Sequence, residues 1–262
     1  MNIGVTGCSS AIGTKVCSII NNLGFNLIRI GRNEEVLWSF GHILPKLDLQ
    51  LLIHIAHARD ISPEAALRGN ELLLKSLSKN AFVVYLSSTS AHLNTLSKYG
   101  RSKYLCETLF ENAGAAIVKS GLIFDHSSKN QTGVLGTLEY LTGKLPVIPV
   151  PFGGNPILYM SDIEALGATL VHLSLNGRPG KYSGFSSHSL TLSELVIRLG
   201  QSSNREARVI LLPDSITRNL AISFSRFNNR LGPFDSLLSL VEEISQDEIR
   251  SLIDPAIHFP KY

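Results

Sequence analysis

Short apolar bursts alternate with amphipathic stretches along most of the chain. Asn2 to Val5 reads as a buried strand, and a helix beginning near Thr14 places Val16, Ile19, Ile20 and Leu23 on one face at i, i+3, i+4, i+7. Gly24 stops that helix, and Asn26 to Ile30 forms a second strand. Together they make a βαβ unit of about thirty residues with a right-handed crossover. Further strands are expected at Leu49 to Ile55, Phe82 to Leu86, Ala115 to Lys119 and Lys181 to Phe185, with helical patterns between most of them. The alternation predicts an α/β fold: a Rossmann-type, doubly wound parallel sheet with helices on both faces.

Other stretches break the rhythm. Leu145 to Pro156 contains Pro146, Pro149, Pro151 and Pro156 together with Gly153 and Gly154, and is expected to be an irregular excursion from the sheet. A helix resumes after Asp162, an N-cap residue type, with Leu166, Leu170 and Leu173 facing inward. There is no internal repeat and no low-complexity segment. A chain of 262 residues has room for a main domain and a smaller C-terminal lobe.

Composition narrows the function classes. The formal charge is +3, from 24 basic and 21 acidic residues with no basic run, so no nucleic-acid partner is expected. Apolar residues make up 44% of the chain but never approach the roughly 18 consecutive positions of a membrane span. Neither a secretory leader nor a lipoprotein segment is read before Cys8. Cys8, Cys17 and Cys106 form no metal-type pair and no disulfide set, which fits a soluble protein of a reducing cytoplasm. His54 and His57, predicted to point to opposite faces of a strand, match no metal-ligand pattern, so no metal is expected.

The chemistry starts at Thr6-Gly7-Cys8-Ser9-Ser10-Ala11-Ile12-Gly13, a glycine-bearing turn between the first strand and first helix. Such a turn lets backbone N–H groups approach a pyrophosphate while the helix directs its positive end at the same place. Farther on, Tyr99 and Lys103 stand four residues apart, which on a helix puts phenol and ammonium on one face. A free phenol has a pKa of about 10, and a fixed cation beside it favours the phenolate, which suits acid/base work. The strand Phe82 to Leu86 runs into Ser87-Ser88-Thr89-Ser90, placing hydroxyls at the carboxyl edge of a parallel sheet, where open α/β folds bind ligands. Taken alone, serines after a strand are more often plain turn formers.

These residues resemble the short-chain dehydrogenase/reductase superfamily, most closely the extended branch of nucleotide-sugar epimerases, dehydratases and reductases. The resemblance also covers Leu52-Ile53-His54-Ile55-Ala56-His57-Ala58, Asn70, Tyr99-Gly100-Arg101-Ser102-Lys103 with Glu107, and Lys119-Ser120-Gly121-Leu122-Ile123-Phe124 in the place of an Arg-Pro-led segment. Tyr159 to Ile163, Gly180 to Phe185 and Leu190 to Leu195 extend it. It implies Tyr99 as the acid/base, Lys103 as its electrostatic partner and ribose ligand, and Thr89 as the substrate-orienting hydroxyl, with Ser88 as the alternative. It implies that Gly7, Ser9, Ser10, Ala11, Ile12 and Gly13 line the pyrophosphate turn. Ala56 and Ala58 would let the cofactor lie close to the sheet edge, with His57 in the pocket wall.

The chain departs from the pattern in four places. Ser10 stands where the extended branch has glycine, and Ala11 where the single-domain branch has it. Only residues 90–98 separate Thr89 from Tyr99, which implies an open pocket or a small substrate. The stretch from Arg32 to Leu49 is short, so one helical crossover is expected to be trimmed. Arg32 occupies the end of the second strand, where an NAD enzyme commonly has an acidic residue. A guanidinium there suits a 2′-phosphate, so NADP is preferred over NAD, with Glu34 the rival group for NAD.

The resemblance implies an NAD(P)-dependent oxidoreductase or epimerase acting by hydride transfer on a carbonyl or hydroxyl of a sugar, with a nucleotide-sugar the expected substrate. The cofactor domain is expected at 1–125 and about 157–187, and the substrate lobe at 126–156 and 188–262. Arg218, Arg226 and Arg230 could meet a nucleotide-sugar pyrophosphate, although each alone reads more readily as a surface arginine. A dehydratase is disfavoured because Ser90 and Ala91, not an Asp-Glu pair, follow Thr89. A hydrolase is disfavoured because the serines lack a GxSxG elbow. The rival from another class is a non-catalytic NADP-binding redox sensor or structural protein. The family resemblance also implies a homodimer.

Overall fold

A computed structural model describes residues 1–58, 61–95, 97–128, 131–202, 208–217, 244–255 and 257. Its centre is a seven-stranded, all-parallel sheet. The strands are β1 (Asn2–Thr6), β2 (Asn26–Gly31), β3 (Val36–Leu37), β4 (Leu51–His54), β5 (Phe82–Ser88), β6 (Ala116–Ser120) and, last in the chain, Gly180–Ser183. Their spatial order is Gly180–Ser183, β6, β5, β4, β1, β2, β3. The chain starts at β1, winds outward through β2 to β3, then returns to the other side of β1 as β4. The strand order therefore reverses between β1 and β4, and sheets of this kind bind ligands beyond the carboxyl ends of the strands at such a point.

Helices α1 (Ala11–Asn22), α2 (Pro63–Ser76) and α3 (Lys98–Asn112) follow β1, β4 and β5. Between β6 and the last sheet strand the chain forms β7 (Leu122–Phe124), α4 (Gly133–Lys144), β8 (Val147–Val150), β9 (Ile157–Asp162) and α5 (Ile163–Asn176). The strand Gly180–Ser183 is therefore β10, followed by β11 (Ser189–Thr191), α6 (Leu192–Ser202), β12 (Arg208–Leu211) and the short helix α7 (Gln246–Ser251). One core joins one face of the sheet to α1 and α5 through Val16, Ile20, Leu166 and Leu170. The opposite face packs Tyr85 and Ile117 against Phe110 of α3, Leu73 of α2 and Trp38.

Local sequence explains the element ends. Ser10, Ser62, Ser97 and Asp162 each cap a helix by accepting an N–H three residues on. Pro63 takes the first position of α2, where its missing N–H costs nothing. The predicted inward leucines of α5 are buried, as expected.

Several boundaries differ from the sequence reading. Helix α1 begins at Ala11 rather than near Thr14, because Ser10 caps it, and Leu23 lies past its end and is exposed. The strand expected at Leu49 to Ile55 is confined to Leu51–His54, where β1 and β5 provide pairing on both sides. Lys181 to Phe185 becomes Gly180–Ser183. The trimmed crossover holds no helix at all: after the two-residue β3, residues 38–50 run as irregular chain that buries Trp38, Leu44 and Leu49. Within the proline-rich stretch Val147–Val150 is a strand, paired in parallel with Arg208–Leu211 in a separate two-stranded sheet, so the excursion leaves the main sheet without being irregular throughout. Pro149 is tolerated there because such a small sheet consists only of edge strands.

A three-stranded sheet in the order β11-β9-β7 completes the fold. It shares a third core with α4 and α6, built on Phe124, Leu135, Met160 and Leu195. Gly121, between β6 and β7, allows this layer to close on the first, since a Cβ there would lie 2.0 Å from the Tyr159 carbonyl oxygen.

Candidate functional site

The glycine turn bends sharply after β1. Gly7 has φ +76°, in the left-handed region, and a Cβ on it would lie 2.9 Å from the Ala56 nitrogen. A Cβ on Gly13 would lie 2.0 Å from the Gly7 carbonyl oxygen, so α1 packs directly on the turn. Ser10 donates its hydroxyl hydrogen to the Gly7 carbonyl at 2.8 Å and accepts from the Gly13 N–H at 3.0 Å. The serine that replaces glycine thus turns its side chain back onto the turn. Gly7, Ser9, Ser10, Ala11, Ile12 and Gly13 form one continuous feature, with Ser9, Ser10 and Ala11 exposed on its outer side.

Thr6 ties this turn to β4. Its hydroxyl oxygen accepts from the N–H groups of Ile55 (3.1 Å) and Ala56 (3.2 Å), so its hydrogen is directed to Nδ1 of His54 at 2.7 Å. The proton of the neutral imidazole therefore sits on Nε2. His54 is fully buried among Trp38, Tyr85 and Phe110. Burial first, and then the nearby Lys103 cation, push its pKa down to about 3, against an opposing contribution from Asn70. His54 is thus a structural imidazole, whereas His57, beyond the strand end, is half-buried with its ring edge-on to Tyr99 at 4.9 Å. Ala56 and Ala58 flank it, also half-buried.

On α3, Tyr99 is half-buried and Lys103 is buried one turn later. The Lys103 ammonium donates to the Leu86 carbonyl at 2.7 Å and lies 4.9 Å from the centre of the Tyr85 ring. Burial lowers its pKa to about 8, opposed by the Cys106 and Glu107 groups. Leu86 precedes the hydroxyl run, so the lysine grips the end of the strand that leads to Thr89. The Thr89 N–H donates to the Ser120 carbonyl at 2.8 Å, and the Ser88 hydroxyl donates to Ser90 Oγ at 3.4 Å. Ser88 is buried and Thr89 half-buried.

Arg32 is exposed just after β2, while Glu34 is held by Arg29, whose Nε donates to Glu34 Oε2 at 2.8 Å. Arg218, Arg226 and Arg230 lie outside the described residues. Among the described residues there is no group of three metal-ligating side chains, and no helix is long and apolar enough to cross a membrane. Cys8, Cys17 and Cys106 are buried free thiols.

Three features escaped the sequence reading. Thr6 is the stitch between turn and β4, signalled only by a hydroxyl directly before Gly7. Gly100 is required because a Cβ there would lie 2.2 Å from Thr95 Oγ1 and 2.5 Å from the Ser90 carbonyl oxygen, so the connection from β5 rests on α3. Lys119, noted only as a replacement for the family's arginine, is fully buried on β6 between carboxylates. A lysine in the apolar run Ala116-Ile117-Val118 was the available signal.

No family model and no curated protein matches the sequence. Solved structures do resemble the fold. A UDP-glucose 4-epimerase from Thermus thermophilus, in complex with NAD, is 14% identical, with a TM-score of 0.63 over 97% of this chain and 100% of that one. A UDP-glucose 4-epimerase from Thermotoga maritima with UDP-glucose is 13% identical, with a TM-score of 0.59 over 81% and 86%. A dTDP-4-dehydrorhamnose reductase from Yersinia enterocolitica is 16% identical, with a TM-score of 0.61 over 82% and 85%. The class defined here is a Rossmann-like α/β fold with a parallel central sheet.

Proposed function

We propose that this chain is an NAD(P)-dependent oxidoreductase or epimerase of the extended short-chain dehydrogenase/reductase type, acting on a carbonyl or hydroxyl of a nucleotide-sugar. The observation that carries the reading is the placement of Tyr99 and Lys103 on one face of α3, with Lys103 bonded to the end of β5 beside Thr89 and Tyr99 against His57. The structural neighbours, which include UDP-glucose and dTDP-sugar enzymes, support the substrate class.

The turn fits a dinucleotide: its two glycines occupy positions that a Cβ would obstruct, and Ser10 caps the helix with its side chain folded back. The N–H groups of Ala11 and Ile12 would take the pyrophosphate, with Gly7 and Ser9 beside it. Ala56, His57 and Ala58 would border the cofactor along β4, and Lys103 would hold a ribose hydroxyl. A bound nicotinamide supplies hydride exchange with carbon. Tyr99 exchanges the proton of the substrate oxygen, Lys103 stabilises the phenolate, and Thr89 orients that oxygen by hydrogen bonding. Ser88, whose hydroxyl is spent on Ser90, is the weaker choice for that role.

Arg32 favours NADP, because it is exposed at the end of β2 while Glu34 is occupied by Arg29. The NAD-bound neighbour weighs toward NAD. Residues 1–125 and 157–187 form the cofactor-binding part and 126–156 and 188–262 the substrate lobe in this reading, in a protein of the cytoplasm that acts as a homodimer.

Calorimetric titration with NADP and NAD, then a nucleotide-sugar screen with product analysis, tests the proposal. Tyr99→Phe should lower turnover about 10²–10⁴-fold while leaving dinucleotide affinity within a few fold. Wild-type turnover in that variant would refute the mechanism, and no binding heat with either dinucleotide would refute the cofactor.

A further inference from the structure

One turn beyond Lys103 along α3, Glu107 joins a second polar assembly. Lys119 on β6 is 0% exposed and Glu107 on α3 is 2% exposed. The Lys119 ammonium donates to the Ala91 carbonyl at 2.7 Å, lies 3.4 Å from Glu107 Oε2, and pairs on its other side with Glu248 of α7. Glu107 Oε2 also accepts from the Ser87 hydroxyl at 2.6 Å, and its Oε1 lies 3.2 Å from Lys181 of β10, which reaches Glu111 as well. Three carboxylates thus share two ammonium groups. Lys103, one turn before Glu107 on the same helix, is the sixth charge and would bring the set to neutrality.

We propose that Lys119 is a positioning residue of this site: it anchors the turn carrying Thr89 through the Ala91 carbonyl and, with Lys181, balances the Glu107 carboxylate one helical turn from Lys103. The inference rests on the reading of Tyr99 and Lys103 as the acid/base pair. The anchoring is geometric. Ala91 donates its N–H to the Ser88 carbonyl and Thr89 donates to Ser120 on β6, so the turn is held by the strand that also carries Lys119. The Ser120 hydroxyl adds a bond to the Ser87 carbonyl at 3.1 Å.

The balancing is electrostatic. The charged or titratable groups around Lys103 are Tyr85 from β5, His54 from β4, and Cys106 and Glu107 from its own helix, on which Tyr99 stands one turn earlier. Glu107 is the carboxylate among them. It pulls the Lys103 pKa upward, and how strongly it does so depends on how fully Lys119 and Lys181 compensate it, since an opposite charge nearby favours the charged form. Too little compensation would hold Lys103 charged but raise the cost of forming the Tyr99 phenolate. Too much would leave Lys103 neutral at working pH.

Lysine labelled with carbon-13 at Cε, observed by NMR in the protein alone, reads the Lys103 titration directly, with the signal assigned through Lys103→Arg. The wild-type midpoint should fall near pH 8. Lys119→Met and Lys181→Met should raise it by about one pH unit, Glu107→Gln should lower it by a similar amount, and Lys119→Arg should leave it in place. Lys181 is partly exposed, so its variant reads the charge effect even if Lys119→Met does not fold. Hydrogen exchange supplies the second readout: the Thr89 and Ala91 amides should lose protection in Lys119→Met and keep it in Lys181→Met. An unchanged Lys103 midpoint in folded Lys181→Met and Glu107→Gln overturns the balancing role, and unchanged protection in folded Lys119→Met overturns the anchoring. No dinucleotide is present in either measurement, so failure to bind NAD or NADP would count against the proposed function and leave these outcomes separate.

Discussion

Two buried lysines hold successive pieces of the chain, Lys103 the strand β5 at Leu86 and Lys119 the connection after it at Ala91, and their surroundings differ. Lys119 reaches the Ala91 carbonyl from β6 with carboxylates on two sides, whereas Lys103 reaches the Leu86 carbonyl from α3 with an aromatic ring beside it. Among the described residues no carboxylate lies within ion-pair distance of Lys103. Burying a charge is costly unless it is paired, so the first lysine is stabilised in place and the second is held at a disadvantage. The difference separates a lysine neutralised by carboxylates from one left with only a carbonyl and an aromatic ring.

The largest break in this comparison should come from Lys119→Met, which strands Glu107 without its buried counter-ion. A loss of about 3–5 kcal/mol in urea unfolding is expected. Lys103→Met should act in the opposite direction, raising stability by about 2–3 kcal/mol near neutral pH because a buried charged amine is removed. The sign follows from linkage: the folded-state pKa, about 8, lies below the ordinary lysine value. The unfolded chain therefore binds more protons between the two values, and wild-type stability rises with pH across that window. The advantage of Lys103→Met should accordingly shrink from pH 8 towards 10.5, and denaturant midpoints measured at both ends would check it.

Gly100→Ala tests the connection between β5 and α3 itself. The added methyl would collide with the Ser90 carbonyl and Thr95, at a cost of about 1–3 kcal/mol seen as a lowered thermal midpoint. The smallest effect should belong to Glu248→Gln, whose partly exposed carboxylate is expected to contribute no more than about 1 kcal/mol.

Much of the fold was legible in the sequence, because the central strands are short apolar runs and the helices begin at recognisable caps. The glycine turn, the α3 pair and the absence of a full crossover after Arg32 all appear where the pattern put them. Less legible was Val147–Val150, since its prolines signal a loop and only pairing with the distant Arg208–Leu211 makes it a strand. The network around Lys119 was also hidden, because Glu107, Lys119, Lys181 and Glu248 are brought together by long-range packing that no local period records. In the site, residue types were readable from the motifs, and so was the separation of His57 from His54, but the contacts that fix each ring were not. Thr6 fixes His54, and His57 meets Tyr99.

The irregular segment that replaces the second crossover helix carries Trp38, the only indole in the chain. Its ring sits buried, 6.1 Å from that of His54, which is itself bonded to Thr6 at the foot of the glycine turn. The protein therefore carries a single indole packed close to the glycine turn, and its emission, excited selectively over the seven tyrosines, reports on that part of the fold without an attached dye.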